Sequence, residues 1–374
     1  MGFTLIIFIA VLALLVLVHE LGHFWMARKM GVKAEEFGLG FPPRIWGSYR
    51  DKDGKRKRVW GNKKIKDVPG TVYSINWLPL GGFVKIKGEN GDDKDKDSFA
   101  SKPIWRRALI LAAGVLMNIA LAVVLISVGY MIGFPDSTIN LPAGAEVTEK
   151  RVQIVQVVNN SPAKEAGLKV GDIVLSMSGE VIDTEIELQQ VVAAHPEEII
   201  PITVRRQNNV IEIMAEPELN EAGNGSLGVA ILSTGLVKYP WYQAIWEGLK
   251  VSMLLLWAII VAFFELIRNL IISQPIDAEI AGPVGIADLT GQFARMGFTY
   301  LLQFTALLSL NLAVLNILPF PALDGGRLVF LAIEKIKGSP VKQDIELAIH
   351  NLGFIALMML VLVVTFKDIA RFFS

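Results

Sequence analysis

The sequence contains no cysteine, and this absence excludes a disulfide framework and any thiol nucleophile. Charged residues are also scarce, at 19% of the chain, and 36 Lys and Arg balance 36 Asp and Glu. A neutral chain of this kind has no general attraction for polyanions, so we expect no nucleic-acid partner.

Apolar residues are abundant instead, at 52% of 374 residues with a mean hydropathy of +0.47, which is too apolar for an ordinary soluble protein. Five apolar runs are each long enough, or nearly so, to cross a hydrocarbon core of about 30 Å. They cover residues 3–18, 108–134, 251–271, 300–319 and 353–364. The first run lacks a basic start and a small-residue cleavage site, so we expect a retained span and no cleaved signal peptide. The predicted fold class is an α-helical polytopic membrane protein with about four transmembrane helices.

The charges are unevenly distributed along the chain. Residues 31–107 carry 18 Lys and Arg against 10 Asp and Glu, whereas residues 135–240 carry 7 against 15. By the positive-inside rule the first segment is cytoplasmic and the second lies outside. We therefore expect a multi-pass membrane protein, with the lipid bilayer as its surroundings.

Two polar segments interrupt the apolar runs. The first holds "EEFGLGFPPRIWG" and "TVYSINWLPLGGFVKIKGEN", which mix glycine with β-branched and aromatic residues and are typical of short strands or hairpins. The second alternates as strands do in "VQIVQVV", "DIVLSMSG", "IPITVRRQ" and "VIEIMAE", with two helical stretches between. We predict a small α+β domain over residues 150–233, between membrane parts at 1–134 and 240–374.

The first apolar run continues into His19-Glu20-Leu21-Gly22-His23, the pattern H-E-x-x-H. On a helix the two histidines lie on one face and can bind zinc, while Glu20 is beside them to accept a proton from the attacking water. A glutamate in a membrane helix costs on the order of 3 kcal/mol and is tolerated mainly for function. The alternative is a helix end emerging into water with ordinary solvated side chains.

Catalytic zinc generally takes three protein ligands, so a third is needed. His195 and His350 are poorly placed, in the soluble domain and near the last run. Asp324 follows an apolar helix that Pro319 and Pro321 interrupt, although Asp-Gly-Gly is also strong turn chemistry. Depth favours the metal interpretation, because spans of roughly 24 Å and 28 Å deliver the histidines and Asp324 to a similar level near the cytoplasmic side.

These motifs resemble the site-2 protease family of intramembrane zinc metalloproteases, in particular its bacterial regulator of sigma-E protease branch. The similar features are HELGH, the later Asn316-x-x-Pro319-x-x-x-x-Asp324-Gly325 and the inserted domain, whose "SPAKEAGLKVGDIVLSMSGE" is similar to a PDZ domain. "PLGGFVKIKGE" is similar to the family's membrane-associated β-hairpin. One departure is Val115 in "AGVLMN", where the family often has proline, while Asn118 is retained.

The resemblance implies one zinc ion per chain on His19, His23 and Asp324, with Glu20 as general base. Asn316 and Pro319 would help to hold the substrate backbone, and an edge strand near Gly81, Gly82 and Phe83 could trap an unwound substrate by main-chain pairing. An interfacial anchor of aromatic and basic residues is an equally good explanation of that segment. Leu227 and Gly228 resemble the ligand loop of a PDZ domain, which would hold a peptide or chain terminus.

The implied function is a membrane-embedded zinc metalloendopeptidase that cleaves single-span membrane proteins, such as anti-sigma factors, or remnant signal peptides. Two alternatives are a catalytically silent PDZ scaffold and an ion-coupled transporter that uses His and Glu. The run at 251–271 must not cross the membrane if Asp324 is to reach the histidines, so we predict an interfacial or re-entrant helix there.

Overall fold

The computed structural model describes residues 2–63, 65, 68–89, 93, 95–138, 141–142, 144–158, 160–206, 209–220, 223–272 and 282–373. Its helices are α1 Gly2–Lys29, α2 Ile104–Ile132, α3 Pro162–Glu165, α4 Glu185–Ala194, α5 Trp241–Ile271, α6 Pro283–Met296, α7 Phe298–Ile317, α8 Asp324–Lys337 and α9 Gln343–Phe373. Its strands are β1 Ala34–Arg50, β2 Arg56–Trp60, β3 Val72–Ile86, β4 Phe134–Ser137, β5 Glu146–Val157, β6 Ile173–Met177, β7 Glu180–Val181, β8 Ile200–Arg206, β9 Asn209–Ala215, β10 Glu218–Leu219, β11 Gly225–Ser226 and β12 Val229–Lys238.

Five of these helices are long and apolar enough to cross a membrane, namely α1, α2, α5, α7 and α9. All five coincide with the predicted apolar runs. The side chains of α1, α5 and α9 are mostly exposed, whereas α2 and α7 are about half buried. The predicted polytopic helical fold with an inserted α+β domain is therefore confirmed. The chain forms two compact units, Met1–Ile126 with Gly248–Ser374, and Ser127–Glu247.

Within the first unit, α1 and α7 run in the same direction. Thr4 at the start of α1 lies against Gly291 of α6, which leads directly into α7. At the other end of α7, the Asn316 amide lies 3.5 Å from the Nδ1 atom of His19. The starts of α1 and α7 therefore lie at the same end of the helix bundle, and their polar residues His19 and Asn316 lie together farther along.

Helix α9 runs the opposite way. Near its start, His350 accepts a hydrogen bond from the backbone N–H of Ala322 at 2.9 Å. Near its end, the Asp368 carboxylate accepts bonds from the backbone N–H groups of Gly282 at 3.1 Å and Gly285 at 2.8 Å, at the start of α6. Helix α6 therefore lies at the same level as the start of α1 and the end of α9.

The β-rich segment between α1 and α2 forms a sheet in the order β2-β1-β3. Both long strands fold back on themselves, so that Phe37 pairs with Tyr73 and also with Val84. The second half of β3 pairs with one side of β1 and leaves its other edge open to α1. Gly81 and Gly82 lie at the bend inside β3, and the two halves of the strand on either side of it both pair with β1.

The second unit contains a seven-stranded sheet in the order β4-β12-β5-β6-β8-β9, with β7 paired to β6. A buried cluster that includes Val152, Ile202 and Leu227 forms its core, as the alternating strand pattern predicts. Helix α4 starts with a capping box of Thr184 and Glu187. The predicted domain at 150–233 lies within this unit, and β4 and the end of β12 extend the sheet beyond it.

The chain enters and leaves this unit at one place. The backbone N–H of Tyr239 donates to the carbonyl of Tyr130 at 2.8 Å, and the two rings lie 5.2 Å apart. Burial raises the pKa of the Tyr239 hydroxyl, so this ring stays neutral. Tyr130 in the last turns of α2 and Tyr239, two residues before α5, are thus direct neighbours.

Helix α5 is continuous over 31 residues, from Trp241 to Ile271. It shows no reversal, so the re-entrant form of the expectation is not found in this helix. Its length and composition would allow it to span a membrane. The interfacial placement stays a prediction.

Candidate metal centre

Three side chains converge where α1 meets the start of α8. The Nε2 atoms of His19 and His23 lie 3.1 Å apart, and the Oδ2 atom of Asp324 lies 3.0 Å from the first and 3.3 Å from the second. Both histidines are buried because α1 packs this face against α2. The structure therefore brings the two ends of the sequence together as the depth argument predicts.

These atoms are placed as ligands of one cation. Ligand atoms on a tetrahedral zinc ion, at about 2.0–2.1 Å from the metal, are separated by roughly 3.3 Å. The observed separations match this value. In addition, the buried Oδ2 atom of Asp324 accepts no hydrogen bond from any described residue, although two imidazole nitrogens face it. A buried carboxylate oxygen and two ring nitrogens that point at one another form an arrangement that a shared cation would stabilise.

The ring of His23 is fixed by its other nitrogen. The Nδ1 atom lies 2.8 Å from the backbone carbonyl of Ile110 on α2, to which it donates a hydrogen bond. This bond places the proton on Nδ1 and leaves the Nε2 lone pair free for a metal.

The ring of His19 has two amide neighbours. Its Nδ1 atom lies 3.3 Å from the Asn118 side-chain nitrogen and 3.5 Å from that of Asn316. The Oδ1 atom of Asn118 is buried and has no partner among the described residues. A half-turn of this amide would place that oxygen as the acceptor of an Nδ1–H, which is the tautomer that metal binding through Nε2 requires.

Gly114 is a residue that sequence reasoning missed. A Cβ atom added at this position on α2 would lie 2.5 Å from His23 Nε2 and 2.8 Å from His19 Nε2. Its missing side chain therefore leaves the space in which a metal ion would stand. The small residues of "LAAGVLMN" signal close helix packing, and nothing in the sequence connects Gly114 to the histidines.

The glycine inside HELGH has a related packing role. A Cβ on Gly22 would lie 2.3 Å from the carbonyl oxygen of Ala113 and 2.7 Å from the Met117 side chain. Gly22 thus lets α1 approach α2 closely enough for His23 to reach Ile110.

Glu20 points toward the sheet. Its Oε2 atom accepts a hydrogen bond from the backbone N–H of Val84 at 3.1 Å, at the open edge of β3. Gly81 and Gly82 lie against Val16 and Leu17 of α1, where added Cβ atoms would lie 2.4 Å and 3.1 Å from the nearest side-chain atoms. The two glycines therefore let β3 approach the helix one turn before the histidines.

A tight turn presents Asp324. Gly325 and Gly326 lie close to the preceding backbone. A Cβ atom added to either glycine would lie within 2.3 Å of a carbonyl oxygen of residue 317, 318 or 320. Ala322 adopts a left-handed conformation with φ of 79°, which costs on the order of 1 kcal/mol for a non-glycine residue. The hydrogen bond to His350 holds that residue, so His350 supports the site through the backbone and lies outside the ligand set.

The remaining predicted site residues are more dispersed. Pro319 is exposed, and Phe83 is half-buried on β3. Leu227 belongs to the core of the inserted domain, and its carbonyl accepts a bond from Ala163. Gly228 follows it with φ of 71° and accepts from Val158, so both carbonyls of this loop face inward.

A cation site of two histidines and an aspartate, with a glutamate beside it inside a bundle of membrane helices, defines the class of membrane-embedded metallopeptidases. Residues 7–360 match the model of Peptidase family M50, and the chain belongs to this family. It is therefore a metalloprotease of the site-2 type, and neither the scaffold nor the transporter alternative is favoured.

The chain is similar to individual relatives along nearly their full lengths. The regulator of sigma-W protease RasP of Bacillus subtilis is 30% identical over 434 residues, covering 99% of each chain. The zinc metalloprotease RasP of Geobacillus kaustophilus is 29% identical over 463 residues, covering 99% of this chain and 98% of the relative. A solved PDZ domain of an SdrC-like protein from Listeria monocytogenes covers 23% of this chain and 92% of its own, at 16% identity and a TM-score of 0.22.

Proposed function

We propose that this chain is an intramembrane zinc endopeptidase in which His19, His23 and Asp324 hold the metal and Glu20 is the general base. The observation that carries the proposal is the convergence of three ligand atoms within 4.8 Å of one another, beside Glu20. Relatives named as zinc metalloproteases support zinc as the ion. When bound, zinc polarises the scissile carbonyl and makes water a stronger acid.

Glu20 moves the proton in this proposal. Val84 orients its carboxylate through one oxygen, which leaves the second oxygen to accept a proton from the attacking water. The same carboxyl group then donates that proton to the departing amine as the peptide bond breaks. The buried histidine face and the surrounding helices limit the entry of other water molecules.

The open edge of β3 presents the substrate. A helix hides its peptide groups in internal hydrogen bonds, so a substrate must unwind before it can be attacked. Main-chain pairing along residues 81–84 would hold the unwound stretch beside Glu20, which itself contacts that strand. Gly81, Gly82 and Phe83 are the pairing positions, while Asn316 at the end of α7 and Pro319 just beyond it would help to hold the substrate backbone.

The substrates are single-span membrane proteins of the anti-sigma-factor type, or remnant signal peptides. The regulatory name of the Bacillus subtilis relative supports this class. The enzyme resides in a bacterial inner membrane with its site near the cytoplasmic side and its inserted domain outside. That domain screens the outer part of a substrate, and the loop at Leu227 and Gly228 is where a peptide terminus would bind.

Three variants of the full chain test the chemistry. Glu20→Gln should abolish cleavage of a model single-span substrate and retain about one zinc per chain, because both histidines and Asp324 remain. His23→Ala and Asp324→Ala should lose zinc as well as activity. Elemental analysis and a cleavage assay on the purified proteins separate the two roles, and near-wild-type turnover by Glu20→Gln would disprove the mechanism.

A further inference from the structure

A basic cavity of about 740 Å³ lies at the cytoplasmic end of α1, apart from the metal centre. Its lining includes the cationic side chains of Arg28, Lys33, Arg50 and Arg56, and one carboxylate, that of Asp97. Arg28 belongs to the last turn of α1 and follows His23 by about 7.5 Å along the helix axis. The cavity therefore opens at the level where a membrane helix leaves the hydrocarbon.

Two of these arginines are held in an unfavourable arrangement. Arg50 of β1 and Arg56 of β2 are direct partners in the antiparallel register, so their side chains leave the same face of the sheet about 5 Å apart at Cβ. Like charges directly opposite each other destabilise a sheet. The combined positive charge of this pair, at the edge of a cavity, favours the binding of an anion.

The nearby carboxylates do not neutralise the pair. Asp97 accepts a bond from Lys87 at 2.7 Å, and that bond lowers the pKa of its carboxyl group. Asp51, next to Arg50, forms an ion pair with Lys57 at 3.1 Å. Among the described residues, neither Arg50 nor Arg28 has an ion-pair partner.

Neighbouring polar groups orient the cationic donors of the cavity. The Nε–H group of Arg56 donates to the buried hydroxyl of Ser48 at 2.8 Å, which fixes the guanidinium plane and leaves its terminal N–H groups free. Tyr73, which pairs with Ser48 across the sheet, contributes a half-exposed ring to the same lining. Several N–H donors around one opening match the oxygen atoms of a phosphate group.

We propose that this cavity binds a phosphate-bearing anion, with Arg50 and Arg56 as its principal ligands. The phosphate belongs either to the headgroup of an anionic lipid in the cytoplasmic leaflet or to a free phosphate compound of the cytoplasm. In both cases the anion forms charge-assisted hydrogen bonds with both arginines and so relieves their repulsion. Binding also stiffens the sheet, whose strand β3 donates the hydrogen bond to Glu20.

Thermal unfolding of the full chain in nanodiscs, followed by tryptophan fluorescence, tests the proposal in two arms. The first arm replaces phosphatidylcholine with increasing fractions of phosphatidylglycerol. The second keeps pure phosphatidylcholine and adds inorganic phosphate. A saturable rise in the unfolding midpoint is expected, and the arm in which it occurs identifies the source of the phosphate.

Matched variants separate a site from general charge attraction. Arg50→Gln should lower the apparent affinity for the probe about tenfold or more, while its midpoint without probe stays equal or rises because the repulsion is gone. The double variant Arg50→Gln with Arg56→Gln should lose the response. Lys52→Gln removes the same charge from the exposed β1–β2 turn outside the lining and should respond as the wild type does.

Four results would overturn the proposal, and the first three concern the response to the probe. They are no midpoint shift of the wild type in either arm, equal shifts in the wild type and the double variant, or equal losses in Arg50→Gln and Lys52→Gln. A midpoint of Arg50→Gln far below the wild type without probe would also overturn it, because the arginine would then stabilise the sheet by itself.

Discussion

At the scale of single residues, Gly114 contributes only the absence of a side chain, and the metal centre depends on that absence. A methyl group there would stand 2.5 Å from one imidazole nitrogen. The histidines cannot move aside without leaving Asp324 or the carbonyl of Ile110. The arrangement thus relies on a position that contributes no donor atom.

We therefore predict that Gly114→Ala loses zinc and cleavage together. Changes in the second layer of metal sites already cost about 10–100-fold in affinity, and an intruding methyl group should cost at least as much. Alanine stabilises a helix interior by about 1 kcal/mol relative to glycine, so the variant should remain folded. Zinc titration measures the effect, and Leu116→Ala on an exposed face of the same helix is the control. Wild-type zinc affinity in Gly114→Ala would show that the space is not used.

Sequence reasoning found the donors of this site and missed its supports. HELGH and Asp324 are recognisable because their residue types carry ligand atoms at a helical spacing and a matching depth. Gly114 acts as empty space, and His350 acts through the backbone of Ala322. Such roles depend on which helices lie side by side, which a one-dimensional pattern does not contain.

At the scale of elements, helix α5 decides the topology. It starts beside the end of α2, where Tyr239 bonds to Tyr130, and α6 lies at the level of Thr4 and Asp368. A full crossing by α5 would require the ten residue steps from Ile272 to Gly282 to return across the bilayer. Ten residues reach at most about 36 Å, so the return would be almost fully extended with unpaired backbone groups in hydrocarbon.

We accordingly predict that both ends of α5 lie on the outer side. A single cysteine at Ile272, which is 52% exposed, should react with a membrane-impermeant thiol reagent in intact cells, whereas one at Lys55 should react only after lysis. Ile272 and Lys55 are preferable to Ser273, which lies outside the described residues, and to Ser48, which is buried. Protection of position 272 until lysis would contradict this topology.

The helices and most strands were predictable from the sequence, but the folding back of two strands was not. Apolar run length indicated the membrane helices, and alternation indicated β5, β6, β8 and β9. The folding back of β1 and β3, which pairs Phe37 with both Tyr73 and Val84, leaves no period in the sequence. It depends on where the glycines of both strands allow a bend and on the contact of β3 with α1.

At the scale of the whole molecule, Tyr130 and Tyr239 flank the inserted domain in the sequence and are direct neighbours in space. Because Tyr130 and Tyr239 are hydrogen-bonded neighbours, removal of residues 132–238 with a short linker should leave α2 and α5 joined as before. The boundaries must include β4 and β12, since a cut at 150–217 would leave these two paired strands without the rest of their sheet.

We predict that this deletion keeps zinc and cleaves a short-ended substrate at a rate similar to the wild type, while cleavage of a substrate with a bulky outer domain rises. Paired assays of the two substrates measure the change in preference. The same deletion carrying Glu20→Gln is the inactive control. An unchanged preference would indicate that the domain binds partners and does not screen substrates.

The distance in sequence between His19 and Asp324 has a consequence for biosynthesis. The ribosome releases the histidines about 300 residues before the aspartate, which at about 5–20 residues per second amounts to tens of seconds. During that interval the membrane contains a chain with Glu20 but without its third ligand. The protease therefore stays inactive until its last helices insert, so a partly synthesised chain does not cleave neighbouring nascent proteins.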